Sequence, residues 1–316
     1  MIAYVLRRAL VAALLVFAVT SASLVLTRLA PGDFVSESLG TSASRETIER
    51  ARERYGLNKS IAQQYRDWLV AAARLDFGYS LQYDRPVRDL IPERAANTAI
   101  LAVSALLVAT VIGLPLGVVS GSSRGGAVPA LVRGASIVLL SMPPLLTSLF
   151  LVFVAARTGW FPIGGMSSAD LGGGSTLVDL ARHLVVPSAA IALPLAALLE
   201  RLQAQATSEA IGEPFVLATL ARGVPRARVL WRDALKPALR PVASVYGLVV
   251  GTLLSGSFAV EVITSWPGLG KLMLDALRAR DVFLVAGCAG AGAVFLAFGA
   301  LVSDVVLGMV DPRARE

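Results

Sequence analysis

The side chains best suited to chemistry are few in this chain and far apart. One cysteine, Cys288, and one histidine, His183, occur in 316 residues. Neither an intrachain disulfide nor a Cys/His site for zinc or iron can be built from them, and both read as structural. Gly270-Lys271 resembles the close of a phosphate-binding loop, in which backbone amides and a lysine cradle phosphates and a hydroxyl ligates magnesium. Ser265 occupies the position of the first required glycine and Leu272 that of the hydroxyl, so no nucleotide site is expected. An enzyme working inside a membrane would need a nucleophile, a metal cluster or a carboxylate pair, and no apolar segment carries one. Glu200 with Arg201, Glu261 and Asp304 read as lying at the ends of apolar segments, with Glu261 and Asp304 able to reach the interface. Ion-coupled transport usually needs an ionisable group near the midplane. If the protein moves a solute, the energy must arrive from elsewhere.

The strongest candidate for a functional element is a polar interruption, Glu209 to Arg240, between two apolar segments. It has its own helix punctuation. Pro214 suits the first turn of a helix, Gly223 suits its close, and Pro225 suits the opening of the next. Helices this short gain their stability from packing against something else, so the segment reads as a docking loop.

Composition explains what positions it. Hydrophobic residues make up 55% of the chain and charged residues 16%, against about 25% charged in soluble domains, so this is an integral membrane protein. A bilayer core needs roughly 20 apolar helical residues. Six segments meet that measure: Ala9 to Thr27, Thr98 to Ser120, Ala135 to Ala156, Leu184 to Leu199, Val242 to Val260 and Val282 to Val302. The first is too long for a signal-peptide core and reads as a retained helix. Gly113, Gly117 and Gly121, and Gly247 with Gly251, have the spacing that lets membrane helices approach closely. Pro115, Pro143, Pro144, Pro187 and Pro194 lie in or at the ends of spans, where freed carbonyls need neighbouring helices or a wet cavity.

The net charge of +7 is topological rather than a sign of nucleic acid. With both termini inside, the inner parts hold Arg7, Arg8, Arg124, Arg133, seven basic residues from Arg201 to Arg240, Arg313 and Arg315. The short outer loops hold Arg157, Arg182, Lys271, Arg278 and Arg280. Thirteen against five places the termini and the Glu209 loop in the cytoplasm. The long outer segment, residues 31–97, reads as a helical cap. Ser44 starts a helix that Gly56 ends, Ile61, Tyr65, Trp68, Leu69 and Ala72 share one helical face, and Val87, Leu90 and Ile91 fit a third short helix. The chain therefore divides into a first span with its N-terminal segment, 1–30, the outer cap, 31–97, and a core of five spans, 98–316, with the cytoplasmic loop at 205–240.

Along its whole length the chain resembles the first of the two permease subunits in the peptide/nickel group of binding-protein-dependent ABC importers. The resemblance rests on Tyr4-Val5-Leu6-Arg7-Arg8, Leu29-Ala30-Pro31-Gly32-Asp33, Tyr55-Gly56-Leu57 and Leu75-Asp76-Phe77-Gly78-Tyr79-Ser80. It continues through Arg182-His183-Leu184 with Pro187, Trp266-Pro267-Gly268-Leu269-Gly270, Ala279-Arg280-Asp281 and Asp311-Pro312-Arg313. Each piece is weakly specific alone; in order and at family spacing they are specific together. The family's cytoplasmic EAA loop falls on the Glu209 segment. Leu217-Ala218-Thr219 stands where Glu-Ala-Ala belongs, and of that signature Ala218 and Gly223 fit closely. Glu209, Gly212, Phe215 and Val216 match upstream. Pro214 departs from a usual Asp, and Asp233 and Pro237 stand where His and Asn are common.

The resemblance implies an all-α membrane protein of six spans, similar to type I ABC importers, in the cell membrane of a prokaryote. It implies a homologous second permease subunit, two ATPase subunits or a homodimeric ATPase carrying ATP and Mg, and an extracytoplasmic solute-binding protein. Membrane lipid surrounds it, nucleic acid is not a partner, and no cofactor is expected in this chain. Contacts to the ATPase would come from Glu209, Gly212, Glu213, Phe215, Leu217, Ala218, Thr219, Arg222, Gly223 and Arg226, with Phe215 and Ala218 as an apolar face and the arginines at a groove rim. The cargo it implies is a di- or oligopeptide, with nickel chelates, haem or another peptide-like solute as alternatives. An ion-coupled transporter and a non-transporting scaffold are the rival classes.

Overall fold

In a computed structural model the described residues are 2–30, 32, 34–35, 45–54, 58–72, 74, 76–123, 125–168 and 177–310. Outside them lie Pro31, Asp33, the Ser44 cap, Tyr55-Gly56-Leu57, Leu75, Arg124, Asp311-Pro312-Arg313 and Arg315; the Asp304 side chain is likewise not described. The helices are α1 (Ile2–Leu29), α2 (Arg45–Arg54), α3 (Ile61–Ala72), α4 (Val87–Gly121), α5 (Ala127–Ser141), α6 (Pro144–Thr158) and α7 (Leu177–Ile211). They continue with α8 (Pro214–Ala221), α9 (Arg226–Arg228), α10 (Leu235–Ile263), α11 (Leu269–Arg278) and α12 (Val282–Val310). A two-residue antiparallel hairpin, β1 (Tyr79–Ser80) with β2 (Arg85–Pro86), pairs Tyr79 with Pro86.

Among the described residues, α1, α4, α7 and α12 are long and apolar enough to cross a membrane, and α5 with α6 can count as a fifth span. The expected fifth segment, Val242 to Val260, lies within the 29-residue α10. The third segment differs from expectation. In place of one helix from Ala135 to Ala156, α5 and α6 meet at a 105° bend. Pro143 and Pro144 explain the break. Met142 is extended, as a residue before proline prefers, and Pro144 occupies the first turn of α6, where its missing N–H costs nothing. The fourth segment is longer than Leu184 to Leu199, because α7 runs on through Glu200 to Ile211. Ala206 and Ala210 keep an apolar stripe on the core side of that extension.

Two compact units partition the chain, residues 1–98 with 267–297 and residues 99–266 with 298–316. In the first, Tyr65, Trp68, Leu69 and Ala72 of α3 pack against Leu24 of α1 and against Val282 and Ala286. The Tyr65 hydroxyl donates to Ser21 Oγ at 3.0 Å. Ile61, expected on that face, is exposed instead, since the face turns away at the first residue of the helix. The third short helix does not stand alone, because Val87, Leu90 and Ile91 open the 35-residue α4.

The family pieces at Ser80 and Asp281 meet in this unit, 201 residues apart in sequence. Asp281 is fully buried and precedes α12. One carboxylate oxygen accepts from Ser80 Oγ at 2.7 Å and Gln82 N at 3.1 Å, and the other accepts from Leu284 N at 3.2 Å, the third residue of α12. Asp281→Ala is therefore expected to destabilise the protein by about 3–5 kcal/mol, because buried donors lose a charged acceptor. Thermal unfolding of the detergent-purified protein reads this out, with Asp281→Asn intermediate.

Gly270-Lys271 lies in the first turn of α11, after an α-helix rather than a strand. Thr98 Oγ1 accepts from Leu269 N at 2.8 Å, and Asn97 donates to the Pro267 carbonyl at 2.9 Å. The segment is thus an ordinary helix start capped by α4.

In the second unit α7 is the central helix and packs against α5, α6 and α10. The glycine stripe of α4 lies directly on it. A Cβ built on Gly113 would come 2.6 Å from the Ala196 carbonyl oxygen, and one on Gly117 would come 2.5 Å from Gln203 Cβ. Glycine is required there by closeness of approach. Glu261, expected to reach the interface, is buried instead, and so is Glu200 at the end of the fourth segment, each 1% exposed or less. For Glu200 the reason is the continuation of α7, which holds its carboxylate against Ser120 Oγ.

Candidate coupling site

The site is built on the last turns of α7. Ala206, Ala210 and Ile211 belong to the core of the second unit, and the same core takes in Val216 and Leu220 from α8, Val224 from the turn, and Val229 beyond it. These spacings put one stripe of α8 inward and leave the opposite stripe outward. Glu213 starts α8 with an extended backbone, and its carbonyl accepts from Val216 N and Leu217 N at 3.0 and 3.1 Å. Its carboxylate stands at the positive end of the helix dipole. Pro214 fills the first turn.

α8 closes where the punctuation predicts. Gly223 N donates to the Leu220 carbonyl at 3.0 Å with φ at +81°, a conformation that costs glycine little and L-residues more. A Cβ at Gly223 meets nothing within 4 Å among the described residues. Pro225 then precedes α9.

The outward stripe carries Phe215, Ala218 and Arg222 at i, i+3 and i+7, and Leu217 is exposed on the flank of the helix. Phe215 is 50% exposed and Leu217 51%, whereas Val216 between them is fully buried. The Thr219 hydroxyl donates to the Phe215 carbonyl at 2.9 Å and accepts from Arg222 Nη2 at 3.1 Å, which directs the guanidinium along the helix. Glu209 is exposed, with Gln205 Nε2 donating to it at 3.1 Å, and Gly212 forms the link between helices. Arg226 is exposed as well. Its Nη2 donates to the Ser122 carbonyl at 2.7 Å, just past the C-terminal end of α4, and so ties the turn after α8 to the α4–α5 connection.

Two features here escaped sequence reasoning. Val229–Ala234 is a π-helical turn, with Leu235 N bonded to the Leu230 carbonyl. It falls one turn before Pro237, whose ring removes the donor a regular helix would use. Trp231 on this turn is half exposed. A lone tryptophan in a polar stretch was the available signal.

What the arrangement can do is mechanical. A short apolar helix faces outward, clamped at both ends to long helices. The binding-protein-dependent transport system inner membrane component model matches residues 113–316, and the N-terminal membrane component model of the same systems matches residues 1–102. The chain belongs to this family. It is similar to the oligopeptide transport system permease protein AppB of Bacillus subtilis (strain 168), 31% identical over 99% of both chains. It is also similar to the dipeptide transport system permease protein DppB of Escherichia coli (strain K12), 29% identical over 100% of this chain and 99% of the relative. The di/tripeptide transport system permease protein DppB of Pseudomonas aeruginosa (strain UCBPP-PA14) is 31% identical over 95% of this chain and 94% of the relative. As an inner membrane component of a binding-protein-dependent system, the chain is a multi-pass, all-helical permease subunit. α8 and its clamps lie wholly within the residues matched by the larger family model.

Proposed function

We propose that this permease subunit forms half of the pathway of an ATP-driven importer of di- and oligopeptides, and that α8 is the helix its ATPase grips. A homologous permease completes the pathway, two ATPase subunits or a homodimeric ATPase bind ATP and Mg below, and a solute-binding protein delivers cargo above. The termini and α8 face the cytoplasm, in keeping with the excess of arginine and lysine on that side. The observation that carries the reading is α8 itself, anchored through buried Val216 while Phe215 and Leu217 stand half exposed. Outward apolar side chains on a rigidly held helix fit the helix-in-groove mode of recognition. Full-length similarity to permeases named for dipeptides, di/tripeptides and oligopeptides supports the cargo class.

The test is uptake by the complete importer reconstituted in vesicles with its binding protein. Labelled di- and tripeptides are expected to accumulate only when ATP is present on the ATPase side. Accumulation driven by a proton or sodium gradient without ATP would overturn the proposal.

A further inference from the structure

On the second unit, outside the coupling site, α5 and α7 line an open cavity of about 640 Å³. One wall is apolar, with Ile137 and Leu140 from α5 and Leu198 and Leu202 from α7. Ile137 and Leu198 are exposed. The other wall is charged, with Arg133, Arg201 and Glu200 lining the same space. An adjoining recess of about 220 Å³ shares Arg133, Ala204 and Gln205 and adds the hydroxyls of Ser120, Ser123 and Ser208.

Glu200 is the informative member. It is 1% exposed; Oε1 accepts from Ser120 Oγ, while Oε2 has no hydrogen-bond partner among the described residues. A buried acceptor of this kind needs a donor. Arg133 already spends Nε on the Pro129 carbonyl at 3.1 Å and Nη2 on the Ser123 carbonyl at 3.4 Å, which fixes its guanidinium beside the recess. The apolar run of α7 ends at Leu199, so Glu200 and Arg201 mark its polar boundary while the leucines lie toward its apolar side.

We propose that this cavity seats a phospholipid with a primary-amine headgroup, of the phosphatidylethanolamine class. Its phosphate lies against Arg133 and Arg201, and its ammonium donates to Glu200 Oε2, which is covered in the subunit alone and turns toward the headgroup to accept. The first methylenes of its chains run along Ile137, Leu140, Leu198 and Leu202. Basic pockets between membrane helices take lipid headgroups through their phosphates. The carboxylate narrows the choice: an anionic headgroup such as phosphatidylglycerol would leave Glu200 facing negative charge, and a quaternary amine such as phosphatidylcholine has no N–H to donate. A zwitterionic peptide would satisfy the same charges, but exposed Ile137 and Leu198 beside the arginines suit acyl chains better than a polar backbone.

The test uses the intact importer complex, delipidated and then equilibrated with equal amounts of phosphatidylethanolamine, phosphatidylcholine and phosphatidylglycerol of identical chains. Native mass spectrometry counts the lipids retained. Phosphatidylethanolamine is expected to be retained about tenfold over each of the others, the worth of one charge-assisted hydrogen bond. Glu200→Gln should erase its advantage over phosphatidylcholine, and Arg201→Gln, at an exposed position, should weaken retention of all phospholipids. Equal retention by the wild type, a preference that survives Glu200→Gln, or displacement of the lipid by dialanine would each overturn the assignment. If Glu200→Gln fails to assemble, the wild-type comparison of ethanolamine with choline headgroups decides.

Discussion

Phe215→Asp combined with Leu217→Asp is expected to lower ATP-driven uptake by about two orders of magnitude while leaving the importer's membrane part folded. Both side chains are half exposed on α8, so the permease itself loses little when they become polar. In a groove on a partner each would bury the rest of its apolar surface, worth about 1–1.5 kcal/mol apiece, and the aspartates would add the desolvation of two charges. Together these reach roughly 3 kcal/mol, near a hundredfold. Uptake and peptide-stimulated ATP hydrolysis in vesicles measure the effect, and the yield and melting temperature of the purified subunit serve as the control. Val216→Asp should behave oppositely, because Val216 is fully buried in the core. It should reduce folded protein before any question of coupling arises. Normal uptake by the Phe215/Leu217 variant would sink the assignment of α8 as the coupling helix.

Gly117→Leu is expected to abolish folded protein. Even a methyl group at this position would come 2.5 Å from Gln203 Cβ and 2.7 Å from the Glu200 carbonyl oxygen. The oxygen belongs to the α7 backbone, so relief requires α4 and α7 to separate along a stripe where Gly113 and Gly121 also touch α7. Overpacking by a methylene or two costs about 1–3 kcal/mol, and a leucine against backbone exceeds that range. Gly134→Ala on α5 is the matched control. A Cβ there meets nothing within 4 Å among the described residues, and alanine favours the helix by up to about 1 kcal/mol. Size-exclusion profiles and thermal melts of the two variants should therefore diverge. Similar behaviour would mean that α4 and α7 are not packed as described.

The contrast between those two glycines shows how far sequence carried the reading. Gly113, Gly117 and Gly121 advertised close packing by spacing alone, but the spacing names no partner, and Gly134 is also a helical glycine although a Cβ there meets nothing within 4 Å among the described residues. Similarly, Pro214 and Gly223 marked the ends of α8 correctly because helix starts and stops are decided within a few residues. The break between α5 and α6 was latent in Pro143-Pro144, yet the 105° angle depends on what each half packs against. Ile61 was misplaced for the converse reason: a helical face read from periodicity is extrapolated to its first residue, where the packing has already ended.

Determined by the sequence alone were the membrane class, the boundaries of α8 and the family, since composition and local spacing carry each of them. Only the tertiary structure decided that Asp281 is the buried acceptor of Ser80, that Arg226 ties the turn to Ser122, that Glu200 is buried against Ser120, and that Val216 rather than Phe215 faces the core. The physical reason is the same in each case. A polar group or an apolar face is satisfied by whichever neighbour the fold brings to it, and in the three polar pairs that neighbour lies between 80 and 201 residues away in the chain, beyond the reach of any local pattern.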